Sequence, residues 1–118
     1  MKIEWIDQGS TPILYADGRG LEKNELLFFV TRVHKKLRES TGEYHVLYNL
    51  QDVALPLGIL DTMAKLVKAN EIHAIKSAFV GMDQINEKTI RRINGFISDT
   101  TERKLFQSEK EAMEWLVM

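Results

Sequence analysis

Two stretches rich in β-formers, Tyr44–Leu50 and Ala74–Val80, flank a segment whose apolar residues recur at helical spacing, which leaves the chain few ways to fold. Between them Pro56 suits the first turn of a helix running to about Asn70, with Ile59, Met63, Leu66 and Val67 on one face. A strand, a helix and a strand in so short an interval form a right-handed crossover between parallel strands. Ala74–Val80 is apolar apart from Lys76 and Ser77, as expected of a central strand covered on both faces.

The remaining elements follow the same logic. Lys2–Asp7 and Ile13–Asp17 are short extended segments separated by the turn-rich Gln8-Gly9-Ser10-Thr11-Pro12, so they read as an antiparallel pair. A first helix is expected over Glu22–Ser40, with Leu26, Phe29, Val33 and Leu37 facing inward and Gly42 after its end. A third helix is expected over Asp83–Ser98, its stripe formed by Ile90, Ile93, Phe96 and Ile97. Lys104–Phe106 makes a last strand, and Ser108 with Glu111 forms a capping box opening a final helix, Glu109–Leu116. That helix is expected to pack through Ala112, Leu116 and a mostly buried Trp115. The order ββαβαβαβα predicts an α/β fold: a mixed, mostly parallel sheet of about five strands carrying four helices, with the N-terminal strand as the antiparallel exception. All 118 residues are expected to form a single domain.

Composition removes several function classes. Sixteen Lys and Arg stand against 17 Asp and Glu, for a formal net charge of −1. Phosphate neutralisation needs a basic excess, so no nucleic-acid partner is expected. With no cysteine the chain has neither disulfides nor thiol chemistry. The longest apolar run, Val53–Leu60, is broken by Pro56 and Gly58 and is far too short to span a bilayer. Met1-Lys2-Ile3-Glu4-Trp5 places charges where a secretion signal needs an apolar stretch, so a cytoplasmic location is expected.

The layout, with Ser77-Ala78-Phe79-Val80-Gly81 as strand plus glycine and Phe106-Gln107-Ser108-Glu109-Lys110-Glu111-Ala112-Met113-Glu114-Trp115-Leu116 as the close, resembles the STAS domain superfamily. Within it the chain is most similar to the small stand-alone SpoIIAA-like bacterial proteins. The likeness covers essentially the whole chain and rests on packing and capping residues, so it implies a fold more than an activity. It also implies a non-enzymatic module acting by protein–protein interaction in bacterial signalling. In the anti-sigma-factor-antagonist branch a phosphorylatable Ser or Thr follows the strand that matches Tyr44–Leu50. Here Gln51–Leu60 contains neither, and the first hydroxyl is Thr62, so the usual phospho-switch is not expected.

No catalytic, metal or cofactor site is expected, and the chain does not read as an enzyme. His34, His45 and His73 have no metal-type spacing, and no nucleophile motif is present. The candidate docking loop for an unidentified protein partner is Asp52, Val53, Leu55, Pro56 and Leu57, an apolar loop at the end of a parallel strand. The alternative is a small apolar or nucleotide ligand held at the same strand ends with Asp17 and Gly81. Leu26-Leu27-Phe28-Phe29-Val30 is apolar around a whole helical turn, while a sheet covers only one side of a helix. Leu27 and Phe28 are therefore the expected contact of a homodimer.

Overall fold

The structure is a computed structural model and describes residues 1–53, 62, 65–67, 69–81 and 101–118. Five strands form one sheet, β1 Lys2–Ile6, β2 Ile13–Asp17, β3 Tyr44–Asn49, β4 Ala74–Val80 and β5 Glu102–Phe106, in the spatial order β1-β2-β3-β4-β5. The first pair is antiparallel and the other three are parallel, as the alternation of elements dictates. Two helices are described in full, α1 Lys23–Arg38 and α2 Glu109–Leu116. Residues 65–67, 69 and 70 are also helical and finish the helix expected after Pro56. The helix expected at 83–98 lies outside the described residues.

Two expectations need correction. The middle strand is β3, not Ala74–Val80: all six β3 residues are buried, whereas Ile75 and Lys76 of β4 are half-exposed. An apolar run marks a strand as internal, but its place in the row depends on which edges its neighbours take. The last strand begins at Glu102, two residues early, because pairing of Lys76 with Glu102 and Ser77 with Arg103 extends it through charged residues. Glu102 and Lys104 face water, as an edge strand allows, while the buried Arg103 is accommodated opposite the Glu71 carboxylate. Trp115 is mostly buried, as expected, its ring tilted against Phe106 at 5.4 Å between ring centres, and Ala112 and Leu116 are buried beside it.

Each face of the sheet carries its own core. α1 lays Leu26, Phe29, Val30, Val33 and Leu37 on Leu14 and Ala16 of β2 and on Tyr44, Val46 and Tyr48 of β3. Val67 from the 65–70 segment joins the same cluster. On the opposite face Ala112 and Leu116 of α2 meet Ile13, Leu47, Ala78 and Val80. Each fully buried aliphatic or aromatic side chain contributes roughly 1.5–3 kcal/mol relative to exposure.

Capping closes the helix ends. The Glu25 carboxylate accepts from the Glu22 backbone N–H at 3.1 Å, and Lys35, Lys36 and Arg38 stand in the last turn of α1, where the helix dipole favours cations. α2 has no basic residue in its last turn. Lys76 of β4 supplies one, its ammonium donating to the Trp115 carbonyl at 3.0 Å. Among the described residues no helix is long and apolar enough to cross a membrane.

Candidate functional site at the carboxyl edge of the sheet

Parallel pairing brings the ends of four strands into one row, Asp17 beside Asn49, Asn49 beside Val80, and Val80 beside Phe106. The loops leaving this row carry the polar side chains, because strand interiors are apolar and connections are not. Asp17 is held by Arg19, whose Nε and Nη2 reach its two oxygens at 3.0 and 2.8 Å. Those guanidinium hydrogen bonds hold the Asp17 carboxyl below its usual range. Glu109, the first residue of α2, accepts from the Asn49 amide at 2.6 Å and from the Tyr15 hydroxyl. Partial burial, and then the hydrogen bond to this carboxylate, raise the pKa of the Tyr15 hydroxyl well above that of a free phenol. Asn49 in turn accepts from the Gln51 backbone N–H at 3.1 Å and so shapes the turn after β3.

Two backbone conformations finish the edge. Asp52 is exposed and adopts a left-handed φ of 58°, tolerable for Asp though strained for most residues. Gly81 has φ +75°, and a Cβ there would lie 2.7 Å from the Gln51 Cα. Only glycine lets the turns after β3 and β4 approach this closely.

The candidate residues are therefore only partly assembled. Asp17, Asp52 and Gly81 do meet at one edge of the sheet. Val53 is buried in the α1-side core, so it anchors the loop and does not present it. Leu55, Pro56 and Leu57 lie outside the described residues. Leu27 and Phe28 sit elsewhere, on the outer side of α1, 40% and 60% exposed. Tyr15, Asn49 and Glu109 escaped the sequence reading. Their signal was faint, a polar residue closing an apolar strand and an acid opening a capped helix, which capping alone explains.

A second polar group lies inside the α1-side core. Glu71, just beyond the 65–70 helical residues, accepts from the Tyr48 hydroxyl at 2.7 Å and from the Ser77 hydroxyl. Its carboxylate faces the Arg103 guanidinium at 3.5 Å, both side chains fully enclosed. His34 of α1 approaches the Tyr48 hydroxyl at 3.5 Å. Here burial, assisted by the positive charge of Arg38, lowers its pKa to about 4. His45 is buried beside Lys76 and lowered in the same direction, chiefly by burial. His73 is exposed. Among the described residues no three His, Asp or Glu side chains converge to hold a metal ion.

His34 makes stability depend on pH. Its native pKa lies below the unfolded value near 6.5, so the unfolded chain binds the proton more readily. Stability is full above about 6.5, falls as pH drops, and levels below about 4. Urea unfolding should show His34 alone removing about 2 kcal/mol between about pH 7 and about pH 5. His34→Leu should abolish that share and leave the smaller slope due to His45. Equal slopes in the two proteins would contradict the assignment.

Comparison with known proteins agrees with this architecture. A crystal structure of an uncharacterised protein of the DUF3478 family with a SpoIIAA-like fold, from Shewanella loihica PV-4, superposes with a TM-score of 0.63. The match covers 98% of this chain and 92% of that one at 20% identity. No family model matches the sequence, and no curated protein does. At that identity the likeness establishes the fold: this chain has the STAS/SpoIIAA-like architecture.

Proposed function

From the SpoIIAA-like fold, we propose that the chain is a non-enzymatic module working by protein–protein contact, with the carboxyl edge of the sheet around Asp52 as a docking surface. The observation that carries this reading is the strand order. Open α/β sheets seat small ligands in the crevice where the order of strands reverses, and here the spatial order is the sequence order throughout. The described polar side chains of this edge also engage one another, Asp17 with Arg19 and Glu109 with Tyr15 and Asn49, and an exposed Asp52 stands at the rim. A role in bacterial signalling fits such a module. The stretch Gln51–Leu60 has no Ser or Thr, so contact here is regulated by something other than phosphorylation of that loop.

Site-specific cross-linking tests the reading. A photoreactive amino acid at position 52, introduced in the native cells, should give one discrete protein adduct that mass spectrometry identifies. The same group at Lys110 serves as a control. Indistinguishable adducts at both positions would count against the docking surface, and stabilisation of the protein by nucleotides or fatty acids that Asp17→Asn abolishes would favour the small-ligand alternative at Asp17 and Gly81.

A further inference from the structure

Away from the strand ends, the outer side of α1 and the edge strand β1 enclose a shallow groove of about 470 Å³. Its apolar surface comes from Ile3 and Phe28, and Arg32, Lys35, Lys36 and Glu39 surround it. Residues 28, 32, 35 and 39 recur at intervals of three or four, so they form one stripe along the helix, opposite the buried stripe of Leu26, Phe29, Val33 and Leu37. Phe28 is 60% exposed, and the Arg32 guanidinium lies 5.8 Å from its ring centre. Among the described residues none of Arg32, Lys35 and Lys36 reaches a carboxylate within ion-pair distance.

We infer that this groove docks an acidic segment of a partner protein, one apolar side chain of the segment resting on Phe28 and Ile3 and its carboxylates meeting Arg32, Lys35 and Lys36. The inference rests on the protein-contact reading above but uses a different face. Charge decides the occupant. Three cations against the single Glu39 leave the groove with an excess of two positive charges. A second copy docked about a two-fold axis would set that excess against itself, and like charges across an interface oppose association by several kcal/mol. An acidic partner neutralises it and gains association rate as well. The volume suits one or two side chains, the scale of a pocket for an anchor residue. The concave shape and the carboxylate at its rim favour a peptide over a flat anionic membrane.

The probe is a short fluorescein-labelled peptide with a central Leu-Trp pair flanked by Asp and Glu, compared with the same peptide carrying Lys for each acid. Anisotropy should show saturable binding of the acidic peptide alone, weakening steeply as salt rises. The charge reversal Lys35→Glu with Lys36→Glu should weaken it about tenfold or more, a change of about 1.4 kcal/mol. Phe28→Ser should weaken it comparably. Both variants alter exposed residues, and unchanged circular dichroism and urea midpoints would verify their folds. Equal binding of the two peptides, indifference to Phe28→Ser, or binding only to phosphatidylserine vesicles overturns the inference. So does a wild-type dimer in sedimentation that Phe28→Asp turns into a folded monomer, since a second copy then fills the groove. Peptide binding that survives when position 52 gives no adduct would separate the two proposals, sinking the strand-edge surface and keeping the groove.

Discussion

Glu71→Ala should cost about 3–5 kcal/mol of unfolding free energy, because it removes the carboxylate that three buried groups share. The Arg103 guanidinium would lose its enclosed counter-charge, and the Tyr48 and Ser77 hydroxyls their acceptor. A buried donor left without a partner forfeits its full desolvation, about 1–3 kcal/mol for each neutral group. Arg103→Met should cost a similar amount by removing the guanidinium that faces the buried carboxylate. The double variant Glu71→Leu with Arg103→Met should be far less damaged than the sum of the singles, since removing both charges removes the desolvation penalty with the attraction. Urea titrations of the four proteins decide it. Additive losses would show that the pair is not coupled and that packing alone holds this corner.

Gly81→Ala should cost roughly 2–6 kcal/mol, combining the strain of a left-handed residue with overpacking against a neighbouring backbone. The added Cβ would stand 2.1 Å from the Gln51 Cγ, which can swing away, and 2.7 Å from its Cα, which cannot. Gly20→Ala is the matched control. Its φ of +72° is nearly the same, but nothing lies within 4 Å of the new methyl group. Strain alone should then cost about 1 kcal/mol. Equal losses at the two positions would mean that the turns after β3 and β4 part easily, and that close approach does not shape the carboxyl edge.

Much of the fold was legible because periodicity carries it. The α1 stripe of Leu26, Phe29, Val33 and Leu37 is buried as the spacing required, and Phe28 is exposed for the same geometric reason. The antiparallel start could be read from the Gly-Ser-Thr-Pro turn between β1 and β2. Strand position was not legible, because β3 and β4 have similar composition and only pairing distinguishes the middle strand from its neighbour. Much less of the site could be read. Asp17, Asn49 and Glu109 are ninety residues apart along the chain at their extremes, and only parallel register sets them together. Glu71 and Arg103 look in sequence like ordinary solvated charges between elements. Their burial depends on two strands and a helix end converging, which no local pattern records.

The monotonic strand order has a consequence for how the chain reaches this state. Each new strand adds to the edge its predecessor has just made, so pairing needs no rearrangement of strands already in place. Synthesis can therefore lay the sheet down from β1 onward, α1 covering one face before β3 is complete. Among the described residues the other face is covered by α2, which meets Leu47, Ala78 and Val80 from the far end of the chain, and β4 keeps an unpaired apolar edge until β5 docks. A nascent chain stalled before residue 102 would carry an open apolar edge on β4, the feature that drives strands of separate molecules to pair. The last seventeen residues close that edge, so a holdase should recognise stalled chains and ignore finished ones.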